Sequence, residues 1–509
     1  MSAFRLLGPT EIVSVKRPEQ HSRSVRYSSE MLRELRGLVA SANRRTTTSR
    51  LSTHFDSQRD ESEDPWRKSS SAIHHCLEKT GRREFLLGAA VTGVAMASSC
   101  VFAFARHYHD DALLEDLSRR CFYFFWDASD PETGICRDLL HGNPDDNQKK
   151  GDEARGSTGV TGFCLTAMCI GAERKWITRE QAKDRVRRAL QSYTNGKVEC
   201  IHGWFYHFID VHTGQRWKNV EVSTSDSIWL LAGALTCREY FHEDSEIGDL
   251  TTLLYSRYDF PWMTNGNGIL LSHGWRPEGF IQFRYDKYCQ LAAMYLLGIG
   301  SPSHALPPDA WYAWERDPNG YGKYHYLGNS LLWTYQYPFA WFDFRKRKES
   351  RGIHVDWFEN CQIATRAHRE WCYQELSRTF PDYTEDIWGI TSSSSPNGYR
   401  AWGGPPKQST IDGSVVPCAA GGSLMLAPEI CIAALHAMKK KFGGKIWGKY
   451  GFADAFNPLT GWVSTDTLGL DVGMTLLSAE NLRHDSLWDW FMENPEPRRA
   501  MHLAGIEKV

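Results

Sequence analysis

The stretch Ser223–Thr236, with the sequence STSDSIWLLAGALT, contains the pattern from which the fold can be predicted. It opens with hydroxyl and carboxyl side chains and then runs through apolar or small residues on every side. A helix without a polar face must be buried all round. Five further stretches share the pattern, which predicts six inner helices in total: Gly156–Ala172, Tyr285–Ile299, Tyr335–Phe344, Val415–Met438 and Leu468–Asn481.

Segments with a single apolar face alternate with these buried runs. One lies behind a capping box at Thr178–Gln181, where Ala182, Val186, Ala189, Leu190 and Tyr193 recur at helical spacing. Another carries the same spacing in Leu113, Leu117, Cys121, Phe124 and Phe125. Helices of this kind keep one face in water. The alternation predicts an all-α toroid, in which an inner ring of helices is wrapped by an outer ring.

Composition narrows the function classes. The chain has 509 residues with 59 Lys+Arg against 61 Asp+Glu, a net charge of -2, and the charges are interspersed. Such a balance provides no basic cluster that could neutralise phosphates, so nucleic acid is not an expected partner. The 20 Trp, 21 Tyr and 24 Phe exceed what a core needs. Partly exposed aromatic rings are platforms for the faces of sugar rings.

The N-terminal region has its own character. Residues 1–80 are rich in Ser and Arg and are predicted to be a disordered extension or to precede the true start. Arg82-Arg83 and the uncharged stretch Phe85–Ala105 resemble a twin-arginine export signal at 81–106. Cleavage near Ala97, lipidation at Cys100 and an uncleaved membrane anchor all stay open. We therefore expect an exported protein, periplasmic or secreted, whose functional domain is 107–509.

Cysteines and histidines give no sign of a metal or cofactor. Eleven of the 13 Cys follow the signal, an odd number without Cys-x-x-Cys spacing, which predicts buried free thiols. His107 and His109 lie beside the processed leader, so no metal is assigned to them. The chain also has no glycine-rich phosphate loop, no Gly-x-Ser-x-Gly elbow and no His-Glu-x-x-His. We expect no cofactor and no metal.

Carboxylates beside aromatic residues mark the connections that enter the inner helices. Hydrolysis of a glycoside needs one protonated carboxyl for the leaving oxygen and a second carboxylate for water or for the sugar carbon. Structural roles are the alternative to catalysis: Asp226 could merely complement a helix dipole, and Glu278 could be a salt-bridge partner. The candidates in these connections are Glu221, Asp226, Trp275, Arg276, Glu278, Arg284, Asp286, Glu385, Trp388 and Asp471.

Motifs from Asp111 to Gly505 resemble a known family. The matching stretches are Tyr123–Asp127, Thr161–Phe163, Gly203–Phe208, Ser223–Asp226, Gly274–Gly279, Gly300–His304, Ala340–Arg345, Trp388–Thr391, Asp412-Gly413, Trp447–Phe452 and Glu480-Asn481. In this order they resemble the glycoamylase-like domain family, which includes the endo-β-1,2-glucanases of glycoside hydrolase family 144 and the C-terminal domain of cyclic β-1,2-glucan synthases. The resemblance implies an (α/α)6 toroid with an acidic cleft that handles β-glucans.

Three motifs depart from the family pattern. Tyr288–Leu291 reads Tyr-Cys-Gln-Leu where relatives commonly have Tyr-Ser-Glu-Ala or Tyr-Asn-Glu-Ala, and the Gln290 amide cannot donate a proton as an acid. Tyr335–Phe339, which holds Gln336 and Tyr337, replaces His-Gln-Tyr-Ser-His, and Asp471–Met474 replaces Asp-Gln-Gly-Pro. The resemblance therefore implies altered contacts with the sugar.

The residues and the resemblance together predict an enzyme with an oligo- or polysaccharide substrate. We expect a glycoside hydrolase, or a transglycosylase, that acts on a β-linked glucan, and the resemblance implies β-1,2-glucan as the substrate and inversion as the outcome. Glu278 or Asp286 would be the acid, and Asp226 with Glu221 would hold or activate water. Sugars would contact the remaining candidates: Trp275, Arg276, Arg284, Gln290, Gln336, Tyr337, Trp341, Glu385, Trp388 and Asp471. The alternative is a non-catalytic glycan-binding envelope protein, suggested by Gln290.

Overall fold

A computed structural model describes residues 112–141, 152–406 and 410–509. The predicted extension 1–80, the signal 81–106, His107 and His109 lie outside the described residues. No helix in the described part of the chain is long and apolar enough to cross a membrane.

Helices buried on nearly every side form an inner ring, as the sequence predicts. Ser157 and Ser223 cap the first two by accepting a hydrogen bond from a backbone N–H. The six inner helices, numbered in chain order, are Thr158–Glu173, Thr224–Tyr240, Leu291–Ile299, Tyr337–Trp341, Pro417–Gly421 and Gly469–His484.

Three predicted inner helices differ in extent from the structure: inner helix 3 begins only at Leu291, inner helix 4 spans only Tyr337–Trp341, and the fifth run is divided. The run Val415–Met438 is two helices, since inner helix 5 ends at Gly421 and the outer helix Pro428–Ile446 follows after a turn. The reason is local: Pro428 takes the first position of the second helix, where its missing N–H costs nothing. Uniform apolarity hid the break, because the second helix also buries much of its surface.

Amphipathic helices lie outside the ring. Thr178 forms the predicted capping box with Gln181 at the start of Arg179–Thr194, and both of its hydrogen bonds are present. The outer and closing helices are 112–128, Arg179–Thr194, Ser245–Ser256, Phe260–Met263, Trp357–Glu375, Pro428–Ile446, Ser486–Glu493 and Pro495–Leu503. Short 3-10 turns occur at Pro308–Tyr312, Leu332–Tyr335 and Leu376–Arg378.

The inner ring closes on itself. Inner helix 1 packs against inner helix 2 on one side and inner helix 6 on the other, and inner helices 3 and 4 continue the circle. Gln336 joins inner helices 4 and 5, because its amide donates to the Ala419 carbonyl at 3.1 Å and to the Ser423 hydroxyl at 2.7 Å. Inner helices 5 and 6 then pack together. This arrangement confirms the predicted toroid.

The first two inner helices touch backbone to backbone. A Cβ atom added at Gly162 would lie 2.0 Å from the Trp229 carbonyl oxygen, and one added at Gly233 would lie 2.1 Å from the Gly162 carbonyl oxygen. Real carbon and oxygen atoms cannot approach this closely. The contact therefore requires glycine on both helices.

Short antiparallel strands connect the helices. Val222–Ser223 pairs with Gly274–Arg276, which pairs with Gly279–Phe280, so Trp275 lies opposite both Val222 and Phe280. The strands are Leu139–His141, Arg155–Ser157, Cys200–Ile201, Trp204–Phe205, Phe208–Asp210, Val222–Ser223, Gly274–Arg276, Gly279–Phe280, Pro318–Tyr321, Tyr324–Leu327, Arg347–Glu349, Ser392–Ser393, Arg400–Ala401, Trp447–Gly448, Gly451–Phe452, Phe456–Asn457, Trp462–Val463, Asp466–Leu468 and Ile506–Lys508.

The eleven described cysteines are free thiols, and most of them are buried, as predicted. The sulfur atoms of Cys169 and Cys237 are 3.5 Å apart between inner helices 1 and 2. Burial raises the pKa of the Cys237 thiol well above its usual value, so this side chain behaves as a small apolar group.

Candidate active site

The N-terminal ends of the inner helices gather at one end of the ring. In the first turn of inner helix 1, a Cβ on Gly159 would lie 2.4 Å from a carboxylate oxygen of Asp226, which belongs to the first turn of inner helix 2. On the far side of inner helix 1, Cys418 of inner helix 5 and Asp471 of inner helix 6 line one cavity. The residues that open inner helices 1 and 2 are therefore in contact, and those that open inner helices 5 and 6 share a cavity.

A histidine links the two acids nearest inner helix 2. His207 Nδ1 lies 3.1 Å from a Glu221 carboxylate oxygen, and His207 Nε2 lies 3.6 Å from Asp226 Oδ2. The hydroxyl of Ser223 donates to Asp226 Oδ2 at 2.5 Å, and Arg276 donates to the second oxygen of Glu221 at 3.2 Å. Glu221, His207 and Asp226 form a fixed chain of alternating charge, which we call the His207 chain.

The His207 chain fixes two protonation states. Burial opposes a charge on His207, but Asp226 and Glu221 outweigh it and raise the pKa of His207 to about 9. Burial also favours a neutral Glu221, yet the hydrogen bond and charge of His207 hold the pKa of Glu221 at about 2. Near neutral pH, His207 is a cation and Glu221 an anion. Glu221 can therefore orient its neighbours but cannot supply a proton to a substrate.

A second carboxylate and an arginine lie beside this chain. Asp138 accepts a hydrogen bond from Arg155 at 3.1 Å, and the guanidinium of Arg155 lies over the Phe208 ring. Burial raises the pKa of Asp138, the charge of Asp226 raises it further, and Arg155 opposes both. Neither residue was among the predicted site residues, because they stand before inner helix 1 in a segment without adjacent aromatic signals.

Two buried carboxyls occupy another part of the same end. Asp471 and Asp454 are 8% and 5% exposed and both line the cavity beside inner helices 5 and 6. Burial raises the pKa of Asp471 well above its usual value, and the neighbouring Asp454 raises it further. Asp454 stands two residues after the motif Trp447–Phe452, yet only the fold brings it to Asp471.

Aromatic residues divide between the cavity and the core. Tyr337 begins inner helix 4 and lies close enough to Asp471 and Asp226 for both charges, after burial itself, to raise its pKa. Trp341 and Trp388 are fully buried, and Trp341 stacks on Trp229 at 5.5 Å. Contact of Trp341 and Trp388 with sugars therefore stays a prediction for two side chains that are buried in this structure.

Several predicted residues sit at the rim or hold loops. Trp275 packs against Trp262 beside Arg276, and Glu278 is exposed in the turn between Gly274–Arg276 and Gly279–Phe280. Arg284 donates to the carbonyl oxygens of Thr264 and Leu270 and thereby holds the loop that contains them.

The remaining candidates lie apart from the His207 chain. Asp286 is exposed, and its carbonyl oxygen accepts from the backbone N–H of Glu315. Gln290 is half-buried at the N-cap of inner helix 3, where its side chain makes no capping bond. Glu385 is exposed and lies 3.9 Å from Arg369, whereas Gln336 is fully buried between inner helices 4 and 5. The structure thus brings together Glu221, Asp226 and Arg276, and places Glu278, Asp286 and Glu385 in solvent.

The charge on His207 should make stability depend on pH. Its folded pKa of about 9 exceeds the unfolded value of about 6.5, so its contribution is fully present below pH 6.5 and is lost as pH rises through 9. We expect wild type to lose on the order of 2 kcal/mol more unfolding free energy between about pH 6 and pH 10 than His207→Gln does. Urea denaturation at both pH values measures this. Equal losses in the two proteins would show that folding does not raise the pKa of His207.

Comparison with known proteins agrees with this geometry. A family model named Glycoamylase matches residues 282–495. The chain is 26% identical over 439 residues to an exo β-1,2-glucooligosaccharide sophorohydrolase of Parabacteroides distasonis, a match that covers 79% of this chain. The chain spans only 58% of that relative's length.

Solved structures show the same fold. The chain resembles an endo-β-1,2-glucanase from Chitinophaga pinensis in complex with sophorotriose and glucose, with a TM-score of 0.72 and 26% identity over 78% of this chain and 98% of that one. A β-1,2-glucanase from Parabacteroides distasonis gives a TM-score of 0.70 at 24% identity, covering 78% of this chain and 60% of that one. The Glycoamylase family model matches residues 282–495, and the ring of inner helices together with these solved structures shows that the chain has an (α/α)6 toroid fold.

Proposed function

We propose that the chain is a glycoside hydrolase that cleaves a β-linked glucan, with β-1,2-glucan as its substrate. The observation that carries the proposal is the His207 chain, which holds Asp226 at the mouth of the ring with a cation on one side and a donating hydroxyl on the other. A carboxylate fixed in this way can orient a water molecule and accept its proton. The β-1,2 linkage comes from the relatives that share the fold and, at 26% identity, part of the sequence.

Inversion at the anomeric carbon fits this arrangement. The imidazole ring of His207 separates Glu221 from Asp226, and both acids bind the same cation, so they do not form a nucleophile and acid pair. The general acid must therefore come from another inner helix. A distant acid leaves room for a water molecule beside Asp226. Inverting enzymes keep their two carboxyls about 6.5–9.5 Å apart for this reason. NMR of the first-formed product would show the inverted anomer, and a retained anomer would contradict the proposal.

The substrate assignment can be tested with the full chain. Linear and cyclic β-1,2-glucan, β-1,3-glucan, starch and cellulose oligosaccharides are incubated separately, and chain length is followed by mass spectrometry. We expect the β-1,2-glucans to shorten and the others to stay intact. Products longer than the substrate would indicate a transglycosylase. Shortening of β-1,3-glucan, starch or cellulose alone would contradict the linkage.

A non-catalytic glycan-binding protein is the second candidate, and Gln290 favours it. An amide stands at the start of inner helix 3, where the family pattern has a carboxylate. This candidate predicts that β-1,2-glucan binds but stays intact, and that binding survives the replacement of Asp226 and Glu278. Hydrolysis gained by Gln290→Glu would then show an enzyme that lost its acid.

We further propose that the protein acts outside the cytoplasm. The support is the Arg82-Arg83 pair before the uncharged stretch Phe85–Ala105. Fractionation of cells that express the full chain should place it in the periplasm, the envelope or the medium, and a wholly cytoplasmic protein would contradict export.

A further inference from the structure

The proposed function requires a proton donor, and the acids first expected to serve do not suit the task. Glu221 is held as an anion by His207 and Arg276. Glu278 and Asp286 are exposed to solvent. Gln290 has no acidic proton at all. The donor must therefore be a carboxyl in a setting that favours its neutral form.

Asp454 and Asp471 have that setting. Asp454 Oδ2 accepts from the backbone N–H of Ser394 at 2.7 Å, but Asp454 Oδ1 and Asp471 Oδ2 have no hydrogen-bond donor among the described residues. The described residues that line their cavity carry no positive charge. Two buried carboxyls without a cation cannot both be ionised, so the pair holds a proton between them.

Burial and the mutual charge act in the same direction on this pair. Burial raises the pKa of both side chains, and Asp454 adds to the effect on Asp471. The backbone N–H of Ser394 stabilises charge on Asp454 and lowers its pKa, whereas Asp471 has no such donor from the backbone. The shared proton therefore resides on Asp471. Asp454 is the neighbour that keeps it there.

Asp471 also has the right place on the ring. Asp226, Tyr337 and Asp471 stand at the N-terminal ends of inner helices 2, 4 and 6. They are 7%, 5% and 8% exposed, and Tyr337 responds to the charges of the other two. Inner helix 1 separates the helix of Asp226 from that of Asp471. A sugar linkage at the mouth of the ring could be approached from one side by water on Asp226 and from another by Asp471.

We propose that Asp471 is the general acid of the reaction and that Asp454 is the positioning residue that keeps it protonated. This inference rests on the proposed function. As the bond between the anomeric carbon and the glycosidic oxygen breaks, the Asp471 proton passes to that oxygen. Water forms the new bond to the anomeric carbon and gives a proton to Asp226. Exchange with solvent returns the proton from Asp226 to Asp471, so one water is consumed for each linkage cleaved.

The test compares two substrates that differ in their need for an acid. β-1,2-Glucan has an alkoxide leaving group that must be protonated, whereas 2,4-dinitrophenyl β-sophoroside releases a stable phenolate without help. We expect Asp471→Asn to lose about 10³-fold in kcat on the glucan and to stay within about tenfold of wild type on the aryl glycoside. Asp226→Asn should lose activity on both substrates, because both need activated water.

Asp454 has its own readout. In Asp454→Asn the neighbouring negative charge is gone, so the pKa of Asp471 falls and the acid is lost at lower pH. The basic limb of the pH dependence of kcat on glucan should therefore move to lower pH, an effect that a purely structural role would not produce. Asp382→Asn is the matched control. Asp382 pairs with Lys441 on the surface at 2.8 Å, and both activities should be unchanged.

The outcomes separate the two proposals. If wild type cleaves neither substrate, the proposed function fails and the acid assignment falls with it. If wild type cleaves glucan and Asp471→Asn does too, only the acid assignment is wrong. Equal losses on both substrates by a folded Asp471→Asn protein, judged by its melting temperature, would give Asp471 the role of base or of structural support and would also overturn the inference.

Discussion

Replacing Asp226 with Asn should abolish turnover of glucan while leaving the fold intact. Asn keeps the shape and can still accept the hydrogen bond from Ser223, but it cannot take a proton from water. General base catalysis contributes about 10²–10⁴-fold, so we expect kcat to fall by about 10³-fold. Initial rates with β-1,2-glucan measure the loss, and thermal unfolding checks that the protein is folded.

The control for this variant is Asp249→Asn, which makes the same chemical change on the exposed side of an outer helix. It should match wild type in rate and melting temperature. An Asp226→Asn protein with more than a tenth of wild-type activity would remove Asp226 from the catalytic role. If Asp226→Asn loses both its activity and its fold, the loss of activity has no bearing on catalysis. Asp226→Glu is then measured instead, to show whether a displaced carboxylate retains turnover.

Gly233→Ala should strongly destabilise the fold. The new methyl would lie 2.1 Å from the Gly162 carbonyl oxygen, and this neighbour is backbone in a packed inner helix. Inner helices 1 and 2 would have to separate, which also opens the packing around them. We expect the unfolding free energy to fall by at least about 3 kcal/mol, the upper part of the range for overpacked cores.

Gly248→Ala is the matched control, because nothing lies within 4 Å of a Cβ at this position of the outer helix Ser245–Ser256. It should stabilise the protein by about 0.5–1 kcal/mol, since Ala loses less backbone entropy in a helix. Chemical denaturation of both variants measures the difference. A Gly233→Ala protein within 1 kcal/mol of wild type would show that the two helices can move apart at little cost.

The fold was largely predictable from local pattern. Six runs without a polar face predicted the inner helices, and all six positions hold one. The capping box at Thr178–Gln181 placed an outer helix correctly. The error at Val415–Met438 arose because an inner and an outer helix follow each other with little change in hydrophobicity. Periodicity cannot separate an inner helix from an outer helix when no polar stretch divides them.

The site was predictable only in part. Glu221 and Asp226 stand close together in sequence, next to a helix start, so their chemistry and their neighbourhood could be inferred together. Their partner His207 lies in the motif Gly203–Phe208, which the sequence marks as distinctive without giving a role to the imidazole. Glu278 and Asp286 look equally suitable in sequence, but the structure leaves both in solvent.

The sequence by itself determined the helical class, the alternation of inner and outer helices and the supply of carboxylates at one set of connections. These follow from the 3.6-residue repeat and from burial, which act over one or two turns of chain. Tertiary structure alone decided which acids are charged. The protonation states of Glu221 and Asp471 depend on His207 and Asp454, which chain folding brings within a few ångströms, and electrostatic energy falls with distance in space, whatever the separation in sequence.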